Sequence, residues 1–160
     1  MLYFRPRPDM TICIAALCEQ GKNCVVGADR EITATSLSLE FDHEKKIELL
    51  TNACVVMASG DSLLASEVIE KTRPLITVQS DNTIHHIAET LKSVYARIHL
   101  ERAESVILHP RGLTLQEFQQ NGAQRLPLQI YMNIDNQFWT FGIGVVEFLI
   151  AGVDATGAHI

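Results

Sequence analysis

The chain has 160 residues, with 13 Lys and Arg against 19 Asp and Glu for a net charge of −6; 47% of its residues are hydrophobic and 20% charged. A chain of this size buries roughly 70% of its unfolded surface without a disulfide or metal staple, and its apolar content excludes disorder. The acidic balance, with no block of Lys and Arg, excludes the electrostatic footprint of a nucleic-acid partner.

No apolar run reaches the roughly 18 residues of a membrane span. Met1 to Asp9 is a short apolar start followed by two Arg-Pro pairs, unlike a secretory signal, so no membrane association and a cytoplasmic location are expected. Cys13, Cys18, Cys24 and Cys54 lie in apolar segments without a CxxC pair. They read as buried reduced thiols rather than zinc ligands or disulfides.

In chain order, residues 11–30 read as a hairpin. Ile12 to Cys18 is near-continuously apolar, Glu19 to Asn23 forms a polar loop around Gly21, and Cys24 to Ala28 is apolar again. Two-sided apolarity predicts strands covered on both faces. With Cys18 opposite Cys24, the register places Asp29 opposite Cys13 and Glu31 opposite Thr11, so that Asp29 stands beside Thr11 on one face. A slip of one residue would undo that placement.

A second hairpin follows over Ile47–Leu50 and Ala53–Ala58. Ser59-Gly60-Asp61-Ser62 then breaks the strand and can cap a helix over Leu63 to Lys71, stopping before Pro74. Ile84, Ile87, Ala88, Leu91, Val94, Tyr95 and Ile98 recur at helical spacing behind the cap candidates Ser80, Asp81 and Asn82. Thr114-Leu115-Gln116-Glu117 is a capping-box pattern predicting a short helix through Gln120, ended near Asn121-Gly122. Leu128–Met132, Gln137–Val146 and Glu147–Val153 read as strands, with Asp154-Ala155-Thr156-Gly157 as a turn. The order of strands, helices and strands, without repeats, predicts an α+β protein with one domain.

The phosphate loop, HExxH and GxSxG signatures are absent. Gly142-Ile143-Gly144 lacks the third glycine of a dinucleotide fingerprint and reads as a bulge or close-packing site in a strand. His85 and His86 are adjacent on a predicted helix, about 100° apart, and do not readily share a metal. What remains is Thr11 after Met10. If the chain begins at Thr11, its α-amine, with an ordinary pKa of about 7.7 to 8, can act as general base for its own hydroxyl.

Thr11-Ile12-Cys13-Ile14, Gly21, Val25-Val26-Gly27-Ala28-Asp29-Arg30, Thr33, Lys45-Lys46-Ile47 and Met57-Ala58-Ser59-Gly60 together resemble the opening of a proteasome β-type subunit. The chain is similar to bacterial and archaeal proteasome-like members of the N-terminal-nucleophile hydrolases over residues 11–71. The resemblance returns at Phe148-Leu149-Ile150-Ala151-Gly152-Val153-Asp154. It implies a four-layer αββα sandwich over residues 11–160 that lacks the C-terminal part of the fold. Residues 1–10 would be an extension, a propeptide or a misassigned start.

The resemblance also implies roles. Thr11 would be the nucleophile, freed by loss of Met10. Lys46 would place a positive charge near its amine, Asp29 would hold that lysine, and the backbone N–H of Gly60 would stabilise the oxyanion. Thr33 would pair with an extended substrate backbone. The implied activity is peptide or amide hydrolysis without metal or organic cofactor, by copies assembled into a ring or other homo-oligomer, leaving an ATPase partner open. The alternative is a non-catalytic structural subunit that retains the fold.

Overall fold

The computed structural model describes residues 12–29, 32–34, 39–41, 46–77 and 83–160. It is a mixed α/β protein with antiparallel sheets. The chain forms two compact units, one of residues 1–91 with 144–160 and the other of residues 92–143. No helix among the described residues is long and apolar enough to cross a membrane.

In the first unit, β1 (Cys13–Cys18) pairs with β2 (Asn23–Ala28), and β3 (Ile32–Ala34) pairs with β4 (Leu39–Phe41). A four-stranded antiparallel sheet has the order β5 (Ile47–Thr51), β6 (Cys54–Gly60), β7 (Val146–Asp154) and β8 (Gly157–His159). The β1–β2 hairpin contacts β6, β7 and β8. Its turn is tied to β8 where Ala158 N donates to Gly21 O at 2.8 Å.

The hairpin register differs by one residue from that expected: Cys18 faces Asn23 and Cys13 faces Ala28. The cause lies in the turn. Glu19 and Gln20 adopt left-handed φ of 51° and 58° and Gly21 follows at 83°. That closes the loop in four residues rather than five, and polar side chains alone give no sign of it. Cover on both faces is also not found among the described residues: Ile14 and Val25 are 60% and 61% exposed.

The second hairpin, β5–β6, forms as expected. Asp61 then caps α1 (Ser62–Thr77), its Oδ1 accepting from Leu64 N at 3.0 Å. The helix does not stop at Lys71 but continues through Pro74. Thr72 is fully buried with its hydroxyl donating to Val68 O at 2.7 Å, and Ile76 is fully buried. Burial of this last apolar position offsets the backbone bond that proline forgoes. α1 contacts both β6 and β7.

α2 (Ile84–Ala103) follows the predicted helical pattern and contains the boundary between the two units. The cap candidates Ser80, Asp81 and Asn82 lie outside the described residues. Thr83 Oγ1 accepts from His86 N at 3.3 Å, and Asp154 Oδ2 accepts from Ile84 N at 2.9 Å. Asp154 also forms the expected turn, Oδ1 accepting from Thr156 N and Oγ1 at 2.8 and 2.6 Å.

In the second unit, α2 passes into a π-helical turn at Glu104–Leu108 and a 3-10 turn at His109–Arg111. The capping box forms: Thr114 Oγ1 accepts from Glu117 N at 3.2 Å, while Thr114 N donates to Glu117 Oε2 at 3.0 Å. The helix it opens, α3 (Leu115–Arg125), runs past the expected stop at Gly122. Gly122 is buried, and a Cβ there would come within 3.0 Å of Phe118 and 3.2 Å of Tyr131, so its lack of a side chain serves close packing.

The expected strands Leu128–Met132 and Gln137–Val146 are replaced by α4 (Leu128–Trp139) and an irregular segment before β7. Tyr131, Ile134 and Phe138 recur at three- and four-residue spacing and join Ala103, Ile107, Leu108 and Phe118 in a common core. Phe118 stacks on Tyr131 at 5.0 Å. Gly142-Ile143-Gly144 is therefore not in a strand. Gly144 has φ of +112°, and a Cβ there would meet the Asp61 carboxylate at 2.9 Å.

Candidate active site

Asp29 follows β2 directly, and the observed register sets it opposite Ile12 rather than Cys13, so the pairing expected to place Asp29 on the face of Thr11 is not formed. Its N–H donates to Ile12 O at 3.0 Å, and its Oδ1 accepts from Ile12 N at 3.2 Å. The same oxygen accepts from Lys46 Nζ at 2.8 Å. The lysine side chain is only 6% exposed and the aspartate 25%. Lys46 stands immediately before β5, so the pair joins the end of the β1–β2 hairpin to the start of the β5–β6 hairpin.

The Lys46 ammonium, helped by the Ile12 N–H, holds the Asp29 carboxyl below the usual carboxylate range against an opposing effect of burial. Asp29 is thus an anion held by two donors, one of them on the residue next to Thr11. Cys13 lies within the field of the same pair. Burial pushes its thiol up, an effect that Lys46 opposes.

Gly60 ends β6 with φ of +94°, opposite Val146. A Cβ there would overlap the Val145 carbonyl, so this position requires glycine for both conformation and space. One residue earlier, Ser59 lines a cavity with Cys13, Met57, Glu147, Phe148 and Leu149. The cavity brings the end of β6 alongside the start of β1.

The expected site residues therefore divide. Asp29 and Lys46 are in contact, and Cys13 and Ser59, two positions after Thr11 and one before Gly60, line one cavity. Thr33 pairs with Glu40 in the separate β3–β4 sheet. Thr11 itself lies outside the described residues, as does Glu31. Among the described residues, no group of three or more His, Cys, Asp or Glu side chains is placed to hold a metal ion. All four cysteines are free, but only Cys54 is buried, Cys13, Cys18 and Cys24 being half-buried; burial together with Cys24 pushes the Cys54 thiol up to about 11.

Sequence reasoning passed over Ser59 and Glu147 in the cavity wall. Glu147 carried a signal, being the one charged residue in the apolar stretch from Phe141 to Val153. Comparison with protein-family models, curated proteins and solved structures gives no match.

Proposed function

We propose that the chain is a threonine-type N-terminal-nucleophile hydrolase of peptide or amide bonds, acting once Thr11 is the first residue. The observation that carries this reading is the Lys46–Asp29 pair, anchored through Asp29 Oδ1 to the N–H of Ile12. A nearly buried ammonium beside the start of β1 favours the unprotonated form of a terminal amine there. An unprotonated amine can then take the proton of its own hydroxyl.

In the reaction, the Thr11 oxygen adds to the substrate carbonyl while the α-amine accepts the hydroxyl proton. The Gly60 N–H stabilises the resulting oxyanion. Collapse breaks the C–N bond, the proton passes to the leaving amine, and an ester to Thr11 remains. Water hydrolyses this ester and restores the hydroxyl. Thr33, on the short β3 strand, would pair with an extended substrate backbone.

The finer architecture under this reading is the αββα sandwich, supported by the β1–β2 hairpin packed on β6, β7 and β8 and by α1 packed on β6 and β7. Self-assembly into a closed ring in the cytoplasm belongs to the same proposal. The deciding experiment is intact-mass analysis of protein from its native host, with labelling by a threonine-directed epoxyketone. A chain beginning at Thr11 that gains one inhibitor mass, with no gain in Thr11→Ala, supports the enzyme. A persistent Met1–Met10 segment on unlabelled protein supports the non-catalytic subunit instead.

A further inference from the structure

The cavity beside Cys13 has a volume of about 260 Å³. That is slightly below the range of whole-ligand pockets, roughly 300 to 1,000 Å³, and suits a single side chain. Its wall is ordered by strand pairing. Met57 stands opposite Leu149 and Ser59 opposite Glu147 in the β6–β7 ladder, so the two pairs share a face.

An apolar pair is thus followed, two residues along the strands, by a hydroxyl and a carboxylate. Two residues span about 6.7 Å in a strand, comparable to the reach of an extended lysine side chain from its Cα. Ser59 Oγ donates to Glu147 Oε2 at 3.5 Å. Among the described residues, no cation lies within ion-pair distance of Glu147; Lys46 pairs with Asp29.

We propose that this cavity is a binding subsite for a long cationic side chain, lysine or arginine, of the substrate. The stem lies along Leu149, cross-strand from the buried Met57, and the charged head meets Glu147. Placing it in substrate recognition rests on the Thr11 hydrolase reading, because Cys13 connects the cavity to the start of β1. Burying an aliphatic stem while a charged head stays near solvent is the ordinary behaviour of these side chains. An exposed Glu147 at the head position suits this geometry.

The test uses the full chain and small probes. Nα-acetyl-lysine methylamide and its arginine counterpart are compared with the norleucine and glutamate counterparts for saturable protection of Cys13 against a maleimide, read by peptide mass mapping. The lysine and arginine probes should protect at concentrations about five-fold lower than norleucine at low salt, the upper range for an exposed ion pair. Glu147→Gln should bring lysine to the norleucine level, and Glu147→Lys should shift preference to the glutamate probe. Equal protection by lysine and norleucine, or a lysine effect unchanged in both Glu147 variants, overturns the subsite.

Hydrolysis of fluorogenic peptides by protein whose first residue is Thr11, with Thr11→Ala as the control, separates the two readings. Cationic protection of Cys13 without Thr11-dependent hydrolysis leaves the subsite and removes the hydrolase. Thr11-dependent hydrolysis with no preference for a cationic residue, unchanged in Glu147→Gln, removes the subsite and leaves the hydrolase.

Discussion

Lys46 donates to Asp29 at 2.8 Å, and the oxygen that receives it also receives the backbone N–H of Ile12. One carboxylate therefore ties the entry of β5 to the first strand. Asp29→Ala removes the anion facing a nearly buried ammonium, and this is expected to cost about 3 kcal/mol, the lower part of the range for breaking buried pairs. Urea denaturation checks the loss. Peptide hydrolysis should fall by about 100-fold or more for both Asp29→Ala and Lys46→Ala, with Asp29→Asn retaining more stability than Asp29→Ala.

The same pair sets an acid limit. Because the folded state lowers the Asp29 pKa, its contribution is fully present above the unfolded carboxylate value of about 4. It is lost as pH falls through the lower folded value. As pH falls below about 4, the unfolded carboxylate value, wild type should lose stability more steeply than Asp29→Asn in paired urea titrations. Parallel curves would remove the pair from the acid response.

Gly60→Ala places a Cβ against the Val145 carbonyl at a φ that L side chains rarely adopt. Backbone strain of this type costs on the order of 1 to 3 kcal/mol. Thermal unfolding should show the loss, and epoxyketone labelling should slow by more than the stability change explains, because the N–H proposed to bind the oxyanion moves with the backbone. Labelling at the wild-type rate would remove Gly60 from the proposed mechanism.

Thr114→Ala deletes the acceptor for Glu117 N at the start of α3. The expected cost is about 1 kcal/mol, while Thr114→Ser should retain most of the stability. Faster amide exchange in α3, with β6 and β7 unaffected, is the expected signature. Uniform acceleration across the chain would instead show that the two compact units unfold as one.

Asp154 accepts from Ile84 N, Thr156 N and Thr156 Oγ1, and these donors, the Thr156 hydroxyl foremost, hold its carboxyl well below the usual range. Asp154→Ala should expose the amides of Ile84 and Thr156 to exchange together, by about ten-fold or more. The contribution is present above the ordinary carboxylate pKa and disappears as pH falls through the lowered one. Exchange of these amides should therefore stay slow relative to the variant until the solution is strongly acidic.

The legible parts of this chain are those whose signals are local. The Thr114–Glu117 box, the Asp154–Gly157 turn and the β5–β6 hairpin each declare themselves within a few residues. The β1–β2 register does not, because it depends on Glu19 and Gln20 taking left-handed conformations that their residue types disfavour. α4 was obscured for another reason. Exposed Leu128, Ile130, Met132 and Trp139 overlay the spacing of Tyr131, Ile134 and Phe138, making an amphipathic helix resemble two apolar strands. At the site, Asp29 and Lys46 were legible only through the family resemblance, and their link to β1 runs through the Ile12 backbone, which side-chain identity cannot encode. Glu147 becomes meaningful only when β7 lies beside β6.

The bond from Ala158 N to Gly21 O closes a loop of nearly the whole described chain, and the β6–β7 ladder joins Gly60 to Val146 across the entire helical stretch between them. Loop-closure entropy must be overcome before such contacts repay it. A ribosome that has released only the first hundred residues has therefore supplied β6 with β5 but not with β7. The apolar edge Cys54-Val55-Val56-Met57 then waits for its partner during synthesis, in the window when unpaired strands associate with the wrong neighbour. Slow translation ahead of Val146 lengthens that exposure, which makes the interval before β7 the point at which a chaperone would matter most.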